Sequence, residues 1–311
     1  MLYLTFILGL ILLVFGGDLL VKGSVNVANK LGISPLVVGI VLVGFGTSTP
    51  ELMASILSAI KEVPQIAIGN VIGSNIANIL LILGITALIQ PIKIDMKSFK
   101  RDSGFLALSC LALIVAMSFG ALNRLGGAVF VLALLGYVYY CYRMEAKNKK
   151  AIKEMQKDID EMSETKGSTL RHLITAIIGI ALTMLGAKFL VDSSIELARQ
   201  WGISETVIGL TIVAVGTSLP ELASSVMASI RKHNEVAFGN VVGSNIYNSL
   251  FILGVVAVLM PLPFGNDLWE SIIIMTATTA LLILTGVFKQ ISRPMGVVFL
   301  VAYAGYIICL I

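Results

Sequence analysis

The segment GTSTPE at residues 46–51, followed by GNVIGSN at 69–75, returns as GTSLPE at 216–221 and GNVVGSN at 239–245, an offset of 170 with no insertion or deletion between the motifs. Across residues 44–85 and 214–255, 21 of 42 positions are identical, and the matches concentrate on Gly, Pro, Glu, Ser, Thr and Asn. Such a chain is expected to fold as two related halves, each with a polar centre inside apolar sequence. Repeats of this kind in membrane transporters place the substrate between the halves.

Hydrophobic residues make up 57% of the chain, charged residues 13%, and the mean hydropathy is +0.95, outside the range of water-soluble domains. Spans of roughly 20 apolar residues fall near 2–21, 35–60, 65–89, 104–120 and 125–142, then near 170–191, 204–230, 235–260, 269–288 and 294–311. The expected fold is an all-α membrane protein of ten transmembrane helices, with a first five-helix repeat at 1–142, a linker at 143–169 and a second repeat at 170–311. An odd number of spans per repeat makes the second copy inverted. If the linker is cytoplasmic, 18 of the 22 Lys and Arg residues lie on that side, and only Lys61, Arg124, Lys188 and Arg199 lie outside. That positive-inside bias puts both termini on the extracellular face of the cell membrane. Met1 leads straight into apolar sequence, which suits a first helix inserted N-terminus outward and not removed as a signal.

The net charge of +4 follows from this topology, so no nucleic-acid partner is expected. No HExxH, Ser/His/Asp constellation or phosphate-binding Gly loop is present, which argues against an enzyme and against a bound cofactor. Cys110, Cys141 and Cys309 stand singly in apolar spans as small hydrophobes, and His172 and His233 fall at span ends. In the linker, Ile152, Met155, Ile159 and Met162 have helical spacing, consistent with a short amphipathic helix or with a solvated connection. Asp18 and Lys22 align with Lys188 and Asp192, so the charge order reverses at constant i,i+4 spacing. Local helix pairs account for this, and a gate contact in one access state is the other reading.

Glu51 and Glu221 are the carboxylates that sit mid-span, and no Lys or Arg is placed there to pair with them. An ionised carboxylate at that depth costs several kcal/mol unless it meets a cation or a wet cavity. Each Glu follows a Pro, which has no N–H, so the carbonyls of Gly46 and Gly216 lose their helical partners and the helices are expected to break at the centre. Thr47, Ser48, Thr217 and Ser218 lie three or four residues before their Glu and share its face. Ser74 with Asn78 and Ser244 with Asn248 are further same-face pairs, available as oxygen ligands or as interhelical hydrogen bonds. The inventory is oxygen without thiolate or imidazole, which suits a hard cation such as Ca²⁺.

At these residues the chain resembles the sodium/calcium exchanger branch of the calcium/cation antiporter superfamily, whose two repeats carry GTSxPE and GNxxGSN. The likeness covers the whole architecture and is that of a compact prokaryotic member without the large regulatory loop of animal exchangers. It implies that Glu51 and Glu221 are shared Ca²⁺ ligands aided by Thr47 and Thr217. Ser48, Ser74, Ser218, Ser244 and the carbonyls of Gly44 and Ala214 would line flanking Na⁺ sites. Asn78 and Asn248 match positions near the site centre, and the second is Asp in some members, so this chain carries one charge fewer there. Proton/calcium exchangers of the superfamily place an acidic residue in the GN motif, absent here, which makes Na⁺ the expected driving ion. The resemblance thus implies Ca²⁺/Na⁺ antiport by alternating access, with proton/calcium antiport as the alternative and a cation channel as a remote one. The bilayer and the two ions are the expected partners, with no obligatory protein partner.

Overall fold

A chain in hydrocarbon must satisfy its backbone polar groups within each segment, so helices are what this sequence has to make. The computed structural model describes residues 2–61, 64–160, 168–201, 216–265 and 268–310. These form helices α1 (Leu2–Leu31), α2 (Pro35–Thr47), α3 (Thr49–Ile60), α4 (Pro64–Ile89), α5 (Met96–Ser118) and α6 (Arg124–Asp160). They continue as α7 (Thr169–Gln200), α8 (Leu219–Ile230), α9 (Asn234–Leu259), α10 (Trp269–Phe288) and α11 (Arg293–Leu310). Among the described residues, seven helices are long and apolar enough to cross a membrane, or eight if α2 and α3 count as one bent span. The protein is a multi-pass membrane protein. Of the ten expected spans, 204–230 lies partly outside the described residues, and α11 is apolar but shorter than the seven long helices.

Two expectations change. The first span of each half runs well past its apolar stretch, to 30 residues in α1 and 32 in α7, about 45 Å or more at 1.5 Å per residue. Hydropathy ends near the polar residues around Ser24 and Ser193, but both are buried and the helical ladder continues through them. The linker positions Ile152, Met155 and Ile159 lie on an uninterrupted continuation of α6 to Asp160 instead of on a separate short helix, and Met162 lies outside the described residues.

The centre belongs to α4 and α9, whose apolar windows are 72% and 83% buried, against 33% for α1 and 28% for α7. Small residues bring backbones together around them. A Cβ added at Gly127 of α6 would lie 2.6 Å from the Gly254 carbonyl of α9, and one at Gly296 of α11 would lie 2.8 Å from the Gly84 carbonyl of α4. Four two-residue strands tie the loops: β1 (Ile92–Lys93) pairs antiparallel with β4 (Gln290–Ile291), and β2 (Ala121–Leu122) pairs with β3 (Leu262–Pro263). Since β1 corresponds to β3 and β2 to β4 between the repeats, each ladder is the counterpart of the other.

The α1–α7 contact uses glycines spaced by seven. Cβ atoms at Gly9, Gly16 and Gly23 would come within 2.8, 2.6 and 2.5 Å of backbone nitrogens of Leu190, Thr183 and Ala176. Such close approach lets two long helices associate in lipid without a hydrophobic driving force.

The packing of these helices on the Glu-bearing segments is one-sided. α1 forms an extensive seam with α8, where a Cβ at Gly17 would sit 3.0 Å from the Ala223 carbonyl and 3.1 Å from Met227. The equivalent pair, α7 with α3, has no comparable seam, and Met53 and Leu57, equivalents of Ala223 and Met227, are each 50% exposed. The charged residues repeat this asymmetry. Lys22 pairs with Asp18 at 2.8 Å, but Asp18 also bonds Arg231, beyond the end of α8, so it is more than a local helix pair. Lys188 and Asp192 form no ion pair among the described residues.

Replacing Gly16 by Leu should separate α1 from α7. The expected cost is about 3 kcal/mol or more, seen as a lower melting temperature or loss of the monodisperse peak of purified protein. An unchanged melting temperature would contradict the close-packed seam.

Candidate functional site

Pro50 and Pro220 fall in the first turns of α3 and α8, where a missing N–H is harmless to the helix that follows but ends the one before. The chain turns at Ser48 (φ −79°, ψ 6°), and α2 meets α3 at 42°. Ser218 has nearly the same conformation (φ −89°, ψ 7°) before α8. Each Glu therefore sits in the first turn of a helix, where the positive end of the helix dipole favours a carboxylate. The break expected from the sequence is present at 48. Its counterpart is described only from Gly216 onward, and Ala214 lies outside the described residues.

Both Glu51 and Glu221 are fully buried. Ser48 Oγ donates to Glu221 Oε1 at 3.1 Å, and Ser218 Oγ donates to Glu51 Oε1 at 3.5 Å, so each carboxylate is held by the serine of the opposite repeat. The second oxygen of each, Oε2, is buried and has no hydrogen-bond partner among the described residues. Among the described residues no Lys or Arg pairs with either. Buried carboxylate oxygens left this way demand compensation.

The GN motifs hold the breaks in place. Asn240 Nδ2 donates to the Glu221 carbonyl at 3.2 Å and to Ser224 and Ser225 Oγ at 2.9 and 2.8 Å, while its Oδ1 accepts from Thr47 at 3.2 Å. Its twin Asn70 donates to the Glu51 carbonyl at 3.3 Å and to Ser55 Oγ at 3.2 Å, and accepts from Thr217 at 3.5 Å. One amide thus fastens the Glu of its own half to the Thr of the other. With the Thr47 proton directed to Asn240 or to the Val43 carbonyl at 3.0 Å, the hydroxyl lone pairs remain for another partner.

Further along α4 and α9, both helices widen into π-helical turns, at Asn78–Ile82 and Tyr247–Ile252. Such bulges recur at functional sites. Asn78 Nδ2 donates to Asn245 Oδ1 at 2.9 Å, Asn245 Nδ2 to the Asn75 carbonyl at 3.1 Å, and Asn75 Nδ2 to Ser249 Oγ at 2.8 Å. Asn78 Oδ1 and both polar atoms of Asn248 are buried and have no partners among the described residues. Ser74 and Ser244 are buried, and Ser244 Oγ donates to the Gly44 carbonyl at 3.4 Å, which also accepts from Ser48 N at 3.1 Å.

Hydrogen bonds across the repeats therefore join Ser48, Ser218, Thr47, Thr217, Gly44, Ser244 and Asn78 to the opposite half. Sequence reasoning singled out these residues. Asn70 and Asn240, which the motifs offer as cation ligands or as interhelical hydrogen bonds, make hydrogen bonds here, and their partners Ser55 and Ser225 were missed; all four are identical between the repeats, which was the available signal. Among the described residues no group of three or more His, Cys, Asp and Glu converges. Two carboxylates surrounded by neutral oxygens are what a hard cation accepts as ligands.

Residues 1–143 and 171–311 match the sodium/calcium exchanger protein family. The sodium/calcium exchanger MaX1 of Methanosarcina acetivorans is 37% identical over 343 residues, covering 99% of this chain and 98% of its own. The inner membrane protein YrbG of Escherichia coli is 33% identical, with 82% and 79% covered. Crystal structures of the sodium-calcium exchanger NCX_Mj superimpose with a TM-score of 0.83 at 32% identity when soaked with 2.5 mM Na⁺ and 0.1 mM Ca²⁺, covering 99% of this chain and 97% of that one. Soaked with zero Na⁺ and Ca²⁺, it gives a TM-score of 0.81 at 33% identity, with 96% and 95% covered. A doubled GTSxPE/GNxxGSN core with two facing buried carboxylates, matched along its whole length by these exchangers, makes the chain a membrane antiporter of the sodium/calcium exchanger family.

Proposed function

We propose that this protein exchanges Ca²⁺ for Na⁺ by alternating access, with Glu51 and Glu221 as the shared cation ligands. The observation that carries the proposal is the pair of buried Oε2 atoms, one from each half, that find neither a hydrogen-bond partner nor a Lys or Arg among the described residues. Two negative charges are neutralised by one Ca²⁺ or by two monovalent ions, so both substrates compete for the same oxygens. Thr47 and Thr217 complete the Ca²⁺ shell. Ser48, Ser74, Ser218, Ser244 and the carbonyls of Gly44 and Ala214 serve flanking Na⁺ positions, with Asn78 and Asn248 at the centre. Na⁺ is favoured over protons because neither GN motif carries an acidic residue.

In this reading the chain is a pair of inverted five-helix repeats, residues 1–142 and 170–311, with the connection at 143–169 cytoplasmic and both termini outside the cell. α1 and α7 slide over the block formed by α2, α3, α4, α8 and α9. The closed α1–α8 seam and the open α3–α7 side fit one access state, with the open side extracellular. An empty site leaves two carboxylates uncompensated, and sealing it from water then costs several kcal/mol. Only the ion-loaded protein crosses between states, which couples the fluxes.

Ca²⁺ uptake into proteoliposomes preloaded with Na⁺ and diluted into Na⁺-free buffer is expected to require the Na⁺ gradient. Uptake that ignores Na⁺ and follows a pH gradient would replace sodium with protons, and non-saturating uptake without a counter-ion would indicate a channel. Glu51→Gln and Glu221→Gln should each abolish exchange while keeping the monodisperse profile of the wild type; wild-type exchange in either would overturn the site. Asn240→Ala removes the acceptor for Thr47 and the brace on Glu221. It is expected to weaken the apparent Ca²⁺ affinity by about tenfold, equivalent to ~1.4 kcal/mol, more than it lowers the maximal rate. An unchanged Ca²⁺ dependence would remove Asn240 from the positioning role.

A further inference from the structure

In a transporter built from two inverted copies, the two gates would be equivalent if the sequences were identical, so a charge that differs between the copies can favour one access state over the other. At the α1–α8 seam, Asp18 lies between two cations. Lys22 reaches it from the next turn of α1 at 2.8 Å, and Arg231 reaches it from the C-cap of α8 with both Nε and Nη2. The Asp18 side chain is only 18% exposed. The repeat equivalents are Lys188 for Asp18, Asp192 for Lys22 and Lys61 for Arg231, and Lys61 is likewise the C-cap of its helix, α3. Closing the α3–α7 side would thus bring the Lys61 ammonium toward a lysine where the other seam has an aspartate. None of these three residues forms an ion pair among the described residues, and that side is the open one.

We propose that Asp18 and Arg231 form a latch that holds α1 against α8, and that the latch has no counterpart at the α3–α7 seam. It stabilises the state closed at α1–α8 over the state closed at α3–α7, and it must part each time the site opens past α8. The proposal rests on the alternating-access reading and adds to it the element that sets the balance of the two states. Asp18 touches no ion in the transport site. It acts on populations, so its loss changes which face is accessible before it changes which ion is bound.

The test uses purified protein with Cys110, Cys141 and Cys309 replaced and single cysteines introduced by Met227→Cys at the closed seam or Leu57→Cys at the open side. Labelling by a water-soluble maleimide is measured with Na⁺, with Ca²⁺ and with neither. Alternating access requires the two positions to respond to ions in opposite directions; parallel or absent responses would overturn that reading and the latch with it. Given opposite responses, Asp18→Asn is expected to raise Met227→Cys labelling and lower Leu57→Cys labelling by about fivefold, the ratio expected for loss of one partly buried ion pair. The exchange Asp18→Arg with Arg231→Asp should restore the wild-type pattern. If Asp18→Asn impairs folding, Lys188→Asp supplies the missing partner to Lys61 from a surface outside the latch, and should protect Leu57→Cys. Opposite ion responses that none of these substitutions shifts would overturn the latch and leave alternating access standing.

Discussion

Two carboxylates, each fully buried and each with one oxygen that finds no hydrogen-bond partner among the described residues, are the constraint around which the rest of the molecule is arranged. Their other oxygens are fixed by serines of the opposite half, so neither half can present its Glu correctly alone. Crossed dependence of this kind makes the site a property of the pair of repeats. It also accounts for irregular backbone at this level of the bundle. The Ser48 break and the π-helical turns of α4 and α9 lie where freed polar groups face one another instead of lipid.

The fixed block and the moving pair of the proposed mechanism are held by different kinds of contact. Asn70 and Asn240 bind the Glu-bearing helices to α4 and α9, and Asn75, Asn78 and Asn245 bind α4 to α9. α1 and α7 meet each other through glycine backbones and meet the Glu-bearing helices at a seam closed on one side only. Glycine contacts carry little side-chain interlock, which suits the proposed movement of this pair as a unit.

The sequence made the centre legible because repetition filtered it: a residue type kept at both Glu51 and Glu221, or at both Asn70 and Asn240, is needed by both copies. Single-chain hydropathy did less well at helix ends. It stopped α1 and α7 near their polar residues and separated the linker helix from α6, since backbone hydrogen bonding continues where apolarity does not. The glycine period at 9, 16 and 23 was visible but carried no meaning until a partner helix lay within 3 Å of each added Cβ. The second partner of Asp18 was hidden for a different reason. Arg231 is 213 residues away in sequence, and its equivalent, Lys61, makes no such contact among the described residues.

The central claim is that one divalent cation occupies the space between the two carboxylates and that Na⁺ competes for it. Equilibrium Ca²⁺ binding to the purified protein, titrated against Na⁺, tests this directly, with Glu51→Gln as the paired measurement. The account predicts one Ca²⁺ per chain, displaced by Na⁺, and no binding in the variant. Ca²⁺ binding that survives Glu51→Gln, or that Na⁺ fails to displace, would contradict it.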